Sequence, residues 1–155
     1  IFLCTGAKKK GRITLLLLIL SLSLTDIICA QYIKPFIERI RPSHLSLEGI
    51  NLLVKKGGKW SMPSNHSANM FAFSVILSYF YNRYRHLLFS LACVIAFSRV
   101  YVGVHFPGDV IIGGVIGYMI SWFVLSLWIR LKIHELKKGK KWVWYETSEP
   151  EFKNN

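Results

Sequence analysis

The sequence predicts an all-α fold, a polytopic bundle of transmembrane helices, because it is strongly apolar and its charges are clustered. Hydrophobic residues make up 52% of the 155 residues, and the mean hydropathy is +0.36. Charged residues make up 18%, below the roughly 25% of ordinary globular proteins, and four long apolar stretches separate their clusters. This composition excludes an intrinsically disordered chain, which contains few apolar residues, and argues against a soluble basic domain.

The four apolar stretches are the predicted membrane spans. They cover residues 13–33, 67–81, 87–104 and 110–129. Crossing a bilayer takes about 20 residues, with about 17 as the lower limit. We therefore expect the short second span to begin below the lipid headgroups or to be tilted. Buried helices of a soluble bundle are the alternative, but four near-continuous apolar runs in so short a chain argue against it.

Small residues recur every four positions along the last span, at Gly113, Gly117 and Ser121. A stripe of small residues lets two membrane helices approach closely. We expect this face to pack against a neighbouring helix and to have no other role.

The chain divides into a membrane domain, residues 1–130, and a tail, residues 131–155. Ile1–Cys4 resembles the end of an apolar helix, so we expect at least one membrane helix to precede this chain. The tail is basic and then acidic. We expect it to be a solvated cytoplasmic extension, mobile near its end.

The basic residues predict the orientation in the membrane. If the spans alternate in direction, thirteen of the 20 Lys and Arg residues lie on one side and seven on the other. The positive-inside rule places the larger set in the cytoplasm. Topology therefore accounts for most of the net charge of +12, and a nucleic-acid partner, which such a charge would otherwise suggest, loses its main support.

The three cysteines carry no site. Cys4, Cys29 and Cys93 are scattered through apolar sequence, without a C-x-x-C pair or a Cys/His cluster. A disulfide framework and a structural zinc site are both disfavoured.

Polar residues at the outer ends of the predicted spans form the candidate site. They are Lys34, Arg41, Ser64, Asn65, His66, Arg99, His105 and Asp109. Arginine suits bidentate phosphate contacts, and lysine acts as a point charge. Ser64 is a good N-cap residue, and a helix start presents free N–H groups to an anion. Asn65 tolerates unusual backbone angles. These features predict a phosphate-binding site.

The two histidines and the aspartate add catalytic groups to that site. Two histidines can divide the roles of nucleophile and acid between them. Asp109 comes four residues after His105 and can hold one ring nitrogen, which leaves the other nitrogen for the ligand, as the orienting carboxylate does in catalytic triads.

Three motifs resemble the signature of the type 2 phosphatidic acid phosphatase superfamily in order and spacing. They are Lys34-x6-Arg41-Pro42, Pro63-Ser64-Asn65-His66 and Ser98-Arg99-x5-His105-x3-Asp109. The second motif is usually Pro-Ser-Gly-His, so Asn65 is a departure. Because Asn can adopt a left-handed conformation, we expect the turn to survive and the substrate preference to be affected more than the activity.

The resemblance implies roles for these residues. His105 would attack phosphorus and form a phosphohistidine, Asp109 would orient His105, and His66 would protonate the leaving oxygen and then activate water. The residues implied to bind the phosphoryl oxygens are Lys34, Arg41, Ser64, Asn65 and Arg99. The resemblance implies no cofactor and no metal, since the cations supply the charge that Mg²⁺ supplies in other phosphoryl-transfer enzymes.

The predicted function is that of an integral-membrane lipid phosphatase of the bacterial cytoplasmic membrane, with its active site facing the periplasm or the exterior. Candidate substrates are lipid A 1-phosphate, undecaprenyl diphosphate and phosphatidylglycerol phosphate, in that order. Lys55, Lys56 and Lys59 either anchor the outer loop to the interface or favour a headgroup with several negative groups.

A vanadate-dependent haloperoxidase is a rival interpretation, which the four spans oppose. A non-catalytic lipid-phosphate-binding protein is another, which intact His66 and His105 oppose.

Three further features receive structural interpretations. Asp26 lies inside the first span, where an acid is costly, and a hydrogen bond within the bundle is at least as well supported as a catalytic role. Glu38 and Arg39 are interpreted as a surface pair. His44 is interpreted as a solvated loop residue.

Overall fold

The computed structural model describes residues 9–45, 57–140, 142–143 and 145. Its helices are α1 Lys9–Asp26, a π-helix Ile27–Ile33, α2 Lys34–Ile37, α3 Asn65–Phe80, α4 Arg85–Tyr101 and α5 Pro107–Lys137, with 3-10 turns at Pro42–His44 and Asn82–Tyr84. Within these ranges the only β-type pairing is an isolated antiparallel bridge between Ile40 and Trp60. The all-α prediction is confirmed. The first predicted span covers most of α1 and the π-helix, and the other three overlap α3, α4 and α5.

The helices differ in whether they can cross a bilayer on their own. Two continuous helical segments, Lys9–Ile37 and Pro107–Lys137, are long and apolar enough to do so. Helix α3 has 16 residues and α4 has 17, which gives lengths of about 24–26 Å at 1.5 Å per residue. The hydrocarbon core is about 30 Å thick, so the expectation of a short second span holds, and the third is short as well.

Helix α3 lies at the centre of the bundle and packs against α1, α4 and α5. The predicted small-residue face of α5 makes this possible. A Cβ added at Gly113 would lie 2.5 Å from the carbonyl oxygen of Ser64, and one at Gly117 would overlap the backbone carbonyl of Ala68. Ser121 shares a 2.5 Å hydrogen bond with Ser21 of α1. The prediction of close packing along this face is confirmed.

The distribution of side chains is that of a membrane bundle, with apolar groups outside and small polar groups inside. Large exposed apolar side chains include Leu16 and Leu20 of α1, Leu87, Val94 and Phe97 of α4, and Ile111, Met119 and Phe123 of α5. Buried hydroxyls meet helix carbonyls: Ser67 donates to Val110 at 2.6 Å, and Ser74 donates to Leu88 at 2.9 Å. Such hydrogen bonds join helices where lipid offers no hydrophobic driving force.

The apolar core and the end of the described chain lie at the opposite end of the bundle from the candidate site. Val143 is fully buried and packs with Phe80, Trp128 and Leu136. Helix α5 also continues past the predicted domain boundary at residue 130, to Lys137. Most of the described residues in 131–140 are exposed, whereas Leu136 and Val143 are buried, so the solvated cytoplasmic tail stays a prediction.

Candidate active site

The candidate site lies where four helix ends meet on one face of the bundle. These are the end of α2, the start of α3, the end of α4 and the start of α5, joined by the loops that contain Arg41 and His105. Ser64, just before α3, donates its backbone N–H to the carbonyl oxygen of Asp109 in α5 at 2.9 Å. Two of the predicted motifs are thus joined directly through the backbone.

Lys34 reaches the site after the π-helix. Its backbone N–H donates to the carbonyl oxygen of Cys29, five residues earlier. In an α-helix the acceptor would be the carbonyl oxygen of the residue four positions earlier. The extra residue per turn rotates the residues after the π-helix by about 100° relative to a continuous α-helix. The register of Lys34 therefore depends on the π-helix, and its ammonium lies within electrostatic range of Arg41 and Asp109.

Arg41 is held by the segment that leads into α3. Its backbone N–H bonds to the carbonyl oxygen of Lys59 at 3.1 Å, and its Nε donates to the carbonyl oxygen of Trp60 at 3.1 Å. A Cβ at Gly57 would overlap the Arg41 guanidinium, so a side chain at this position would require the guanidinium to shift. Burial lowers the pKa of Arg41, and the charge of Asp109 acts in the opposite direction.

Ser64 is the N-cap of α3, as predicted, but its side chain does not cap the helix. The residue is fully buried, and its Oγ has no hydrogen-bond partner among the described residues. A buried hydroxyl without a partner costs free energy unless a ligand or water supplies one. The first-turn N–H groups and this hydroxyl together can bind an anion.

A Schellman motif at the end of α4 places His105. Gly103 has φ 74°, a left-handed angle that glycine adopts without strain. The N–H groups of Gly103 and Val104 bond to the carbonyl oxygens of Val100 and Arg99 at 3.0 and 3.3 Å, which is the Schellman pattern. The backbone N–H of His105 also donates to the carbonyl oxygen of Arg99, at 3.2 Å. The motif therefore fixes the backbone of Arg99 and that of His105 relative to each other.

The carboxylate of Asp109 faces one ring nitrogen of His105. His105 Nδ1 lies 3.5 Å from Asp109 Oδ2, and Nδ1 has no hydrogen-bond partner among the described residues. This distance exceeds that of a good hydrogen bond, but catalytic hydrogen bonds often shorten when substrate binds. Because Nδ1 faces Asp109, Nε2 is the atom left for a substrate.

Asp109 lies in the first turn of α5. It is the third residue of the helix, and its Oδ2 accepts a 2.8 Å hydrogen bond from the N–H of Phe106, the actual N-cap. Pro107 occupies the first helical position, where its missing N–H costs nothing. Helix α5 therefore begins three residues before the predicted span.

The sequence reasoning missed Arg39, which was interpreted as half of a surface pair with Glu38. Its Nη1 donates to Asp109 Oδ1 at 3.1 Å, and its guanidinium lies over the Phe106 ring at 4.3 Å from the centroid. Only its place in the Lys34 to Arg41 motif could have drawn attention to it. Glu38 is instead the residue with a positive φ, 52°, that ends α2.

The charges around the two histidines are mainly positive. Arg99, Arg41 and Lys34 lie close enough for their charges to act on the His66 imidazole. The pKa of His105 lies below the ordinary 6.5, first because the ring is buried and next because of the charge of Arg41, whereas Asp109 raises it. An imidazole is nucleophilic in its neutral form, so these surroundings favour the form that the predicted role of His105 requires.

Asn65 is placed differently from the other predicted phosphate ligands. Its Nδ2 and that of Asn69, one turn later, both donate to Asp26 Oδ1 at 3.0 Å. Asp26 therefore makes hydrogen bonds within the bundle, as its structural interpretation expected. The Asn65 Nδ2 is engaged by Asp26, whereas its Oδ1 has no hydrogen-bond partner among the described residues. The contribution of Asn65 to phosphate binding remains a prediction.

The structure thus brings Lys34 and Arg41 within electrostatic range of both His66 and His105. Arg99 lies within range of His66, and Asp109 within range of His105. Lys55 and Lys56 lie outside the described residues, as does Ile1–Cys4. Lys59 lies over the Trp60 ring at 4.6 Å. His44 makes a 3.0 Å hydrogen bond through Nε2 with the carbonyl oxygen of Gly57, so it supports the Arg41 loop.

Comparison with known proteins identifies the fold and the family. The family model described as the PAP2 superfamily matches residues 14–132. The crystal structure of Aquifex aeolicus LpxE superposes with a TM-score of 0.66 and 33% identity, over 74% of this chain and 68% of that one. A transmembrane PAP2-type phosphatidylglycerolphosphate phosphatase from Bacillus subtilis superposes with a TM-score of 0.52 and 29% identity, over 76% and 58%. These matches confirm the predicted transmembrane bundle.

A curated relative agrees with these matches. The lipid A 4'-phosphatase of Porphyromonas gingivalis is 28% identical over 116 residues, which are 72% of this chain and 49% of that protein. The chain therefore spans about half the length of this relative.

Proposed function

The chain belongs to the PAP2 superfamily, and we propose from this premise that it is an integral-membrane phosphatase that removes a terminal phosphate from a lipid headgroup through a phosphohistidine. The observation that carries the proposal is the pair of His105 and Asp109, 3.5 Å apart, within electrostatic range of Lys34 and Arg41. A buried nucleophile beside an orienting acid and fixed cations suits attack on a phosphate ester.

In the first step, Nε2 of neutral His105 attacks phosphorus, and the bond from phosphorus to the leaving oxygen breaks. His66, exposed on the first turn of α3, gives its proton to that oxygen. Asp109 stabilises the positive charge that develops on the His105 ring, as the carboxylate of a triad does. The products of this step are the dephosphorylated lipid and phosphohistidine.

In the second step, water attacks the phosphohistidine. His66, now neutral, accepts a proton from the water while the bond from phosphorus to Nε2 breaks, which releases phosphate and neutral His105. The same histidine thus acts as acid and then as base, as general acid–base catalysis by one group requires over a full cycle.

Fixed cations stabilise the charge on the phosphoryl oxygens. Lys34, Arg41 and Arg99 all lie within range of His66, and the free Oγ of Ser64 adds a hydrogen-bond donor. Preorganised donors of this kind are often the largest contribution to catalysis. In our proposal they supply the charge that Mg²⁺ supplies in kinases and GTPases, so the reaction needs no metal.

The proposed substrate is a membrane lipid phosphate, with lipid A 1-phosphate placed first. The name of the Porphyromonas relative, a lipid A 4'-phosphatase, supports lipid A as the lipid and differs from this proposal in the position of the phosphate. Undecaprenyl diphosphate and phosphatidylglycerol phosphate remain the other candidates, and the Bacillus subtilis phosphatase is named for the latter.

The proposed orientation places the active site on the periplasmic or outer face of a bacterial cytoplasmic membrane. Lys10 lies over the Tyr81 ring at 4.7 Å, so the basic start of α1 meets the end of α3, away from the site. The end of α5, with Lys137 and Lys138, lies at that same end. The positive-inside rule places this end in the cytoplasm.

The direct test is phosphate release by the purified protein from lipid A 1-phosphate, undecaprenyl diphosphate and phosphatidylglycerol phosphate, assayed side by side in mixed micelles. We expect release from at least one lipid and none from His105→Ala protein prepared identically. If the wild-type protein binds these lipids but releases no phosphate, the chain is a non-catalytic lipid-binding protein and the proposal fails.

A further inference from the structure

Arg39 makes an ion pair with Asp109, from a position outside the residues assigned to catalysis. The distance from Nη1 to Oδ1 is 3.1 Å, and the Arg39 side chain is 40% exposed whereas that of Asp109 is fully buried. We propose that Arg39 is a positioning residue, which orients the Asp109 carboxylate so that Oδ2 faces His105. This inference rests on the proposed function, because it assigns a role within the same reaction.

The two oxygens of Asp109 have different partners. Oδ1 accepts from Arg39, and Oδ2 accepts from the Phe106 N–H at 2.8 Å and faces His105 Nδ1 at 3.5 Å. With one oxygen fixed by Arg39 and the other by a backbone N–H, the plane of the carboxylate is set. A fully buried carboxylate also needs a paired cation, because an unpaired buried charge is strongly destabilising.

Arg39 is itself held in place by two contacts. Its guanidinium stacks on Phe106 at 4.3 Å, a favourable arrangement of a cation on an aromatic face. Its backbone carbonyl accepts hydrogen bonds from the N–H of Ser61 at 2.7 Å and from Ser61 Oγ at 3.1 Å. The residue is therefore fixed between the loop before α3 and the start of α5.

The electrostatics separate Arg39 from the predicted phosphate ligands. The charges of Arg41 and Lys34 act on His105. The charges of Arg99, Arg41 and Lys34 act on His66. Arg39 contacts the Asp109 carboxylate directly, and we infer that its effect on the reaction passes through Asp109. This predicts that its loss lowers kcat more than it weakens phosphate binding.

The test is a double-mutant cycle with Arg39→Gln, Asp109→Asn and the double variant, assayed for kcat, KM and inhibition by inorganic phosphate. We expect Arg39→Gln to lower kcat about 10- to 100-fold, the scale of a misplaced catalytic group, with phosphate inhibition unchanged within about threefold. Asp109→Asn should lose about 10²- to 10⁴-fold, by analogy with triads. When it is added to Asp109→Asn, Arg39→Gln should lower kcat by less than about a further threefold, since the effects of two coupled residues are not additive.

Two controls accompany the cycle. Arg83→Gln removes a positive charge at the opposite end of the bundle, so it should leave kcat and KM unchanged. Arg39→Lys keeps the charge and one donor, so it should lose less than about fivefold in kcat. If Arg39→Gln does not fold in detergent, Arg39→Lys carries the test, because a small loss confined to kcat supports positioning, whereas weaker phosphate inhibition contradicts it.

A second readout needs no substrate. Arg41, Lys34 and Asp109 are the charged groups that act on His105, and Arg39 offsets the charge of Asp109. Removing Arg39 should therefore raise the pKa of His105, measured by NMR titration of labelled histidine, and Asp109→Asn should abolish the shift.

The outcomes are distinguishable. Fully additive effects of Arg39→Gln and Asp109→Asn, or weakened phosphate inhibition with normal kcat, overturn the positioning role and make Arg39 a phosphate ligand. If the wild-type protein hydrolyses none of the lipids, the proposed function fails, and the His105 titration still decides whether Arg39 acts through Asp109.

Discussion

The backbone N–H of Ser64 donates to the carbonyl oxygen of Asp109 at 2.9 Å, so the helices that carry His66 and Asp109 begin at a shared point. The absence of a side chain at Gly113 allows this contact, because a Cβ there would lie 2.5 Å from the Ser64 carbonyl oxygen. The backbone at His66, the proposed proton-transfer group, and the backbone at Asp109, the proposed orienting group, are thereby held directly against each other.

The two histidines should have separable roles. His105→Ala should abolish turnover, since no neighbouring side chain replaces the nucleophile. His66→Ala should be rescued in part by an aryl phosphate, whose leaving group needs no proton, and should accumulate an acid-labile phosphoenzyme because water activation is also impaired. Trapping with radiolabelled substrate on the His66→Ala background measures this. Label on a residue other than His105, or normal turnover by His105→Ala, would show the roles to be wrong.

The pH dependence should reflect a depressed pKa at His105. Burial and the charge of Arg41 lower the pKa of this histidine from 6.5, so the neutral nucleophile persists as the pH falls below that value. The acid limb of kcat/KM that reports His105 should therefore lie below pH 6.5, and the limbs of the whole profile belong to the coupled site. Arg41→Gln removes a positive charge and should raise the His105 pKa in an NMR titration. A downward shift would contradict this assignment.

Metal removal should leave the activity intact. Because Lys34, Arg41 and Arg99 supply the positive charge, phosphate release should persist in excess EDTA and be inhibited by vanadate, a phosphate analogue. The measurement is phosphate release before and after dialysis against chelator. A loss of phosphate release on chelation that Mg²⁺ or Zn²⁺ restores would contradict the metal-independent mechanism.

The close contact of α5 with α3 should make Gly117→Ala destabilising. Alanine normally stabilises a helix interior by about 1 kcal/mol relative to glycine, but here its Cβ would overlap the backbone carbonyl of Ala68. Overpacking costs about 1–3 kcal/mol, so the melting temperature in detergent should fall. The matched control is Gly58→Ala, where a Cβ meets nothing within 4 Å. Equal melting temperatures for the two variants would refute the contact.

Much of the site was predictable because its motifs are local and lie at helix ends. Ser64 precedes α3, and Arg99 and His105 flank one turn, so short-range sequence fixes how they are presented. The stripe of Gly113 and Gly117 was equally readable, since a period of four residues defines one face of a helix whatever lies opposite.

The contacts that escaped prediction join distant parts of the chain. Arg39 and Asp109 are 70 residues apart, and Asp26 and Asn65 are 39 apart. Nothing in the residues beside Arg39 distinguishes an ion pair with Asp109 from one with Glu38. The burial of Val143 likewise depends on an apolar surface that exists only once Phe80 and Trp128 have been brought together.

The sequence by itself determined the helices, their apolar faces and the identity of the groups at their outer ends, because hydrophobic periodicity and motif spacing act over a few turns. Only the tertiary structure decided which of those groups touch. It selected Arg39 as the partner of Asp109, directed the Asn65 amide to Asp26, and set the register of Lys34 through a π-helix. Each of these depends on the separation and rotation of packed helices, which are properties of the whole bundle and of no single segment.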